Sequence, residues 1–300
     1  MANPLLLLPD FLLILAGFLL CRLTALDRTI WDAAEKLVYF LLFPVLLFNS
    51  IVRSPLQPTQ TLNLTLAGVG TVAVGIVVAL AIGRWPGVDR RLHASGAQIA
   101  YRFNSYIALA LSERMQGAPG LAWMALIIAF SVPLCNVAAV WPLARHGGHS
   151  YWRELLRNPL IISTVAGLVA NVAGLHVPDV MATVLQRIGL AALPLGLMAV
   201  GAGLAFGGLK AAPGLAVALL GIRHVLLPIV AIGLAVLLHL GPEQRGIVVL
   251  FASLPTAASA YVLAARMGGD GGFVAGLVTV STVLGMLSVP AWLAALSLLH

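Results

Sequence analysis

Apolar runs about as long as a bilayer core is thick follow one another along this chain and leave little between them. A membrane-crossing helix needs about 20 mostly apolar residues. The clearest run, Pro4 to Leu20, ends at the charged turn from Arg22 to Arg28. Only 9% of the 300 residues are charged, against 61% AVILMFWYC, whereas a soluble domain carries about a quarter charged. So few charges cannot cover a water-facing surface, which excludes a soluble enzyme, and so apolar a chain is not disordered. Cys21 and Cys135 stand alone in separate apolar segments, so there is no disulfide scaffold. The composition is that of an all-α polytopic membrane protein.

Ten transmembrane spans are expected. After the first come Lys36 to Ile51, Leu62 to Ile82, His93 to Ser112 and Leu121 to Leu143. A basic linker follows, with Arg145, His146, His149, Arg153 and Arg157. The second half continues with Pro159 to Leu175, Val184 to Phe206, Pro213 to Leu238, Gly246 to Ala265 and Phe273 to Leu299. Loops after odd-numbered spans hold Arg22, Arg28, Lys36, Arg84, Arg90, Arg91, Arg145, Arg153, Arg157, Lys210 and Arg266. The opposite loops hold only Arg53, Arg114, Arg187 and Arg245. This asymmetry puts the linker in the cytoplasm and both termini on the outer side of the cell (inner) membrane. It also accounts for the net charge of +7 without any nucleic acid.

The two halves align at a shift of roughly half the chain. Pro44 in YFLLFPVLLF corresponds to Pro194 in GLAALPLGLM, and ALALSERMQG, ending at Gly117, resembles AYVLAARMGG, ending at Gly269. Five spans is an odd number, so the halves, residues 1–146 and 159–300 joined by linker 147–158, enter the membrane in opposite directions. Inverted repeats of this kind are characteristic of secondary transporters.

Polar residues inside the spans mark the candidate site, since a charge near the bilayer centre is costly and functional by default. Span four carries Arg102, Asn104 and Ser105 near its middle. In span nine Pro255 removes an amide donor and disfavours helix at Leu254, and Thr256 and Ser259 follow. Two helices broken at equivalent places would cross near the midplane and turn half-helix N-termini towards an anion. Arg102 would supply positive charge there. Asn136 after Pro133 in span five is a helix-packing hydrogen bonder or a cavity-lining residue, and Arg223 and His224 in span eight have no assigned role. Gly201-Ala202-Gly203 reads as close helix packing. The ten acidic residues all lie away from span centres, which argues against a cation antiporter built on midplane carboxylates. No metal-ligand spacing, nucleotide-binding glycine motif or Ser-His constellation is present, so no metal, no cofactor and no enzyme activity are expected.

The segments WDAAEKLVYFLLFPVLLFNSI, AYRFNSYIALAL, LPLGLMAVGAGL and LPTAASAYVLAARMGGD resemble the auxin efflux carrier family in its bacterial form, nearly end to end from Leu8 to Pro290. The resemblance implies two inverted five-helix repeats with discontinuous, crossing helices four and nine, akin to the bile-acid/sodium symporter type of fold. It implies helices 1, 2, 6 and 7 as a scaffold, often at a homodimer interface, and helices 3–5 and 8–10 as a moving transport domain. The substrates it implies are small organic anions such as auxin-like acids, malonate or malate, carried by an elevator-type mechanism. Asn104 matches the polar residue of the first crossing and Pro255 the proline of the second, with Arg102, Ser105, Thr256 and Ser259 beside them. Plant members have proline at both crossings; here Phe103 stands opposite Pro255. A passive anion channel and a membrane-embedded carboxylate sensor remain the alternatives.

Overall fold

The computed structural model describes residues 8–53, 58–143, 159–175, 177–204, 209–257 and 259–298. The described residues are helical, with no strand among them. The linker 147–158, with Arg145 and His146 just before it, and residues 4–7 of the first expected span lie outside them.

The chain opens with α1 (Leu8–Leu23) and α2 (Arg28–Arg53). The second helix starts before the expected Lys36 because Asp27 caps it, its Oδ1 accepting from Thr29 N at 3.0 Å and Ile30 N at 3.3 Å. Arg28 pairs with Asp32 and Glu35, each at 2.8 Å, while Trp31 is buried. An amphipathic first section of this kind escapes an averaged hydropathy. Pro44 has no N–H to give Phe40 O, and the helix widens into a π-turn, Val38–Leu42, just before it. After α3 (Pro58–Ile82) come α4 (Arg90–Gly96) and a 3₁₀ turn, Ala97–Ala100. Residues 101–104 are not helical, and α5 (Ser105–Leu143) follows.

The fourth expected span is interrupted in its middle, near where the sequence reading puts a break, but its second part runs on into the fifth, where that reading has two separate spans. Gly117, at φ 60° and ψ −145°, is the non-helical residue between 105–116 and 118–143, a conformation that only glycine adopts without strain. Gly268, at φ 73°, is the last residue but one of the matching segment of the second half, next to Gly269, which aligns with Gly117.

That half consists of α6 (Pro159–Val172), α7 (Asp179–Leu190), α8 (Ala192–Ala202) and α9 (Pro213–Leu237), then α10 (Pro242–Ser253), α11 (Ser259–Arg266) and α12 (Gly271–Ser297). The junction at Ala191 precedes Pro194 much as the π-turn precedes Pro44. Six helical stretches among the described residues are long and apolar enough to cross a membrane: Arg28–Arg53, Thr61–Ile82, Arg90–Ala139, Asp179–Ala202, Pro213–Leu237 and Gly271–Ser297. The other expected crossings fall on the shorter α1 and α6, on the interrupted α10–α11, and on the stretch that merges spans four and five.

Packing partners sort into two sets. The first joins α1 to α8 and α2 to α6, α7 and α8; the second joins α3, α5, α9, α10 and α12, with α4 and α11 against α12. Helix α5 touches both sets, through α2 and α8. Gly17 and Gly201 bring α1 and α8 into backbone contact. A Cβ on Gly17 would overlap Met198 O, and one on Gly201 would overlap Ile14 O. The small residues around Gly201 thus serve the close packing read from the sequence.

Candidate functional site

Both interruptions come together. Asn104 N, closing the first break, donates to Pro255 O in the second at 2.9 Å. Phe103 packs edge-on against Phe251 of α10, with ring centroids 4.6 Å apart. The second break lies where the sequence placed it, because Pro255 forces Leu254 out of helical geometry, to ψ 148°. The first break has no proline, and its location is set by the partner it finds in the other half.

Asn104 is the N-cap of α5. Its Oδ1 accepts from Tyr106 N at 3.0 Å and Ile107 N at 3.2 Å. Backbone amides only donate, so the side-chain oxygen must face the helix and Nδ2 must point away. Among the described residues no protein group accepts from that Nδ2. Two amides of the half-helix N-terminus are thus occupied by the cap, and the donors offered outward are those of the Asn104 amide.

Arg102 is 9% exposed. Its Nη2 donates to Asn136 Oδ1 at 2.8 Å and its Nη1 to Ser259 Oγ at 3.2 Å. Three of the sequence candidates, from the first break, α5 and the start of α11, thereby form one cluster around a guanidinium. Both of these partners are neutral side chains. Ser105 opens α5 half-buried and makes no hydrogen bond to the other candidates. Thr256 is fully buried and turns the other way, its N–H donating to Ser281 Oγ on α12 at 3.0 Å. Pro255 is itself held by α12, because Gly285 leaves room for its ring.

Next to this cluster Tyr106 stacks on Phe43 of α2, with centroids 5.0 Å apart and planes 12° from parallel. Gly196 of α8 lies under both rings. The crossing therefore abuts α2 and α8 next to Pro44 and Pro194.

Several residues at the crossing were not among the candidates. Gln98 Nε2 donates to Ser95 O and Ala260 O, both at 3.1 Å, tying the 3₁₀ turn to α11. Arg223 of α9, fully buried, donates Nη2 to Phe251 O at 2.9 Å and Nε to Leu254 O. A charged residue inside an apolar helix was the available signal for Arg223. Its targets are backbone carbonyls, which no side-chain pattern reveals.

A polytopic helical membrane protein whose interrupted helices meet at a buried polar cluster belongs to the transporters. The description "Membrane transport protein" matches residues 107–293 of the chain, and the chain belongs to that family, the auxin efflux carriers. It is similar to a "Putative malonate transporter" of Rhizobium meliloti, 27% identical over 278 residues covering 88% of this chain and 86% of that protein. It is also similar to an "Uncharacterized transporter" of Methanothermobacter thermautotrophicus, 25% identical over 287 residues covering 93% and 94%. It is a transporter, not an enzyme.

Proposed function

We propose that the chain is a secondary carrier of small organic anions, carboxylates such as malonate, working by an elevator-type exchange of access. The observation that carries this reading is the contact of the two breaks, Asn104 N to Pro255 O at 2.9 Å, with the Arg102 guanidinium, whose Nη atoms bond Asn136 and Ser259, beside it. A carboxylate would accept from Asn104 Nδ2 and lie close to the Arg102 charge. Pro255 would shape the pocket wall and Ser259 its rim, with Thr256 behind the wall against α12. The name of the Rhizobium meliloti relative favours a short carboxylate.

The architecture proposed with it is ten crossings in two inverted five-helix repeats, residues 1–146 and 159–300, joined by the cytoplasmic linker 147–158. Paired irregularities support the repeat: the helix distortions before Pro44 and Pro194, and the positive-φ glycines Gly117 and Gly268, which stand one residue out of register in the alignment. On this reading the two packing sets are a scaffold of helices 1, 2, 6 and 7 and a transport unit of helices 3–5 and 8–10. The stack of Tyr106 on Phe43 would then lie on the surface along which they slide. Both termini would face outward from the cell inner membrane, and the scaffold would pair two copies in a homodimer.

Purified protein reconstituted into vesicles and preloaded with malonate should accumulate labelled malonate by counterflow, with saturation. In detergent, malonate should raise the melting temperature of the parent but not of Arg102→Gln. Non-saturating flux without counterflow would assign a channel instead. An unchanged malonate shift in Arg102→Gln would remove the charge from the site.

A further inference from the structure

Arg223 sits in the part of the molecule that nothing so far has given a role. The helix that carries it, α9, widens into a π-turn at Ile222–Leu226. The cause lies just downstream: Pro228 has no N–H for the carbonyl of His224, and its ring crowds that carbonyl. The carbonyl so released accepts instead from Trp292 Nε1 of α12 at 2.8 Å. With the turn widened and pinned there, Arg223 and His224 are both buried, Arg223 facing the end of α10 and His224 facing α12.

At the second break the same chemistry is needed again. In an unbroken helix the N–H of residue 255 would bond to Phe251 O. Proline at 255 deletes that donor, and Leu254 O is left outside the helix altogether. Phe251 and Leu254 are fully buried, and each of their carbonyls costs free energy if left unpaired. Arg223 supplies both, Nη2 to Phe251 O at 2.9 Å and Nε to Leu254 O. Its cationic group also lies at the C-terminal, negative end of α10. His224 completes the grip through two serines of α12. Its Nε2 meets Ser281 Oγ at 2.9 Å, and that oxygen accepts from Thr256 N at 3.0 Å. Its Nδ1 meets Ser288 Oγ at 2.9 Å, and Ser288 donates to Ser253 O at 3.5 Å. Backbone groups on both sides of Pro255 are thus held by two adjacent residues of one neighbouring helix.

We propose that Arg223 is the positioning residue of the transport site: it replaces the donor that Pro255 removes, and so fixes Pro255 O where Asn104 N requires it. The consequence is a directional dependence. The first break has no proline and rests on the second, through Asn104 N to Pro255 O. The second rests on Arg223. Losing Arg223 therefore disturbs the Asn104 side of the pocket, although Arg223 itself bonds to backbone rather than to the outward-facing Asn104 amide. This inference rests on the site proposed above for its ligand, but not for its structural half.

The test uses full-length protein in detergent with malonate as the probe, comparing the parent, Arg223→Lys, Arg223→Met, Pro255→Ala and the double variant Arg223→Met/Pro255→Ala. Arg223→Met should lower the melting temperature by about 5 °C or more. In the double variant the restored amide at 255 can serve Phe251 O, so the melting temperature should recover. Malonate affinity should not recover, because the break has then closed into helix. Arg223→Lys keeps the charge but not the two-pronged reach, and should bind malonate at least about tenfold more weakly than the parent. Failure of Pro255→Ala to relieve Arg223→Met would overturn the donor-replacement argument. Parent-like binding by Arg223→Lys would overturn the positioning role and leave only charge. If the parent itself does not bind malonate, the ligand assignment fails while the melting comparison still decides the role of Arg223.

Discussion

Substituting Asn104 separates the job that the structure shows for its side chain from the one proposed for it. Its Oδ1 caps α5 through Tyr106 N and Ile107 N, and its Nδ2 is the proposed donor to the ligand. In Asn104→Ser the hydroxyl oxygen caps as well as an amide does, so stability should change by less than about 0.5 kcal/mol. The serine side chain does not reach as far as Nδ2 and has one donor in place of two. A hydrogen bond to a charged group contributes about 1.5–3 kcal/mol, and every 1.4 kcal/mol is about tenfold in affinity, so malonate binding should weaken roughly 10- to 150-fold. In Asn104→Ala the cap is lost too, at about 1 kcal/mol, or about 2–4 °C in melting temperature for a chain of this size. Calorimetric titration of malonate and melting curves on both variants give the two readouts independently. Parent-like affinity in Asn104→Ser would refute the claim that Nδ2 faces the ligand. A serine variant as unstable as the alanine one would refute the cap.

Three further outcomes follow from packing and charge. In Gly201→Val the side chain meets the α1 backbone at Ile14 O, and overpacking of this kind costs about 1–3 kcal/mol; melting should fall well below that of Gly214→Val, where a Cβ meets nothing within 4 Å. In Gly285→Ala the added Cβ would stand 2.9 Å from the Pro255 ring, so malonate affinity should drop even where melting is little changed, and an unaltered affinity would mean the ring can shift freely. Arg114 Nε pairs with Asp10 Oδ2 at 2.6 Å, with side-chain exposures of 38% and 6%. Removing the arginine strands a buried carboxylate, at up to about 3–5 kcal/mol, whereas Asp10→Asn leaves a cation that solvent reaches. Arg114→Gln should therefore melt distinctly lower than Asp10→Asn, and the reverse order would contradict the burial.

What could be read from the residues alone was what local chemistry dictates. Apolar runs place helices because the bilayer leaves a backbone few other options, and Pro255 marks a break because proline lacks a donor wherever it stands. The first break was harder to locate, since nothing between Gln98 and Ser105 forbids helix. Its position depends on Pro255 O, about half the chain away. Arg102, Asn136 and Ser259 were each recognisable as polar residues in apolar surroundings, but that one guanidinium gathers the other two is a tertiary fact. Arg223 is the clearest case. Its charge was visible, yet its purpose becomes readable only once the carbonyl orphaned by Pro255 is known to lie beside it. The early start of α2 was missed for a different reason, because its charged face hides an amphipathic helix from hydropathy averages.

The backbone contact between α1 and α8 has a consequence for how the molecule is made. Gly17 and Gly201 touch each other's helices, but ribosomes deliver α1 long before α8. During that interval the close contact at Gly17 lacks its partner, and only the arrival of Ala192–Ala202 completes it. A nascent chain arrested before Ala192 should therefore hold α1 more loosely, and leave it more open to proteases, than the full chain does.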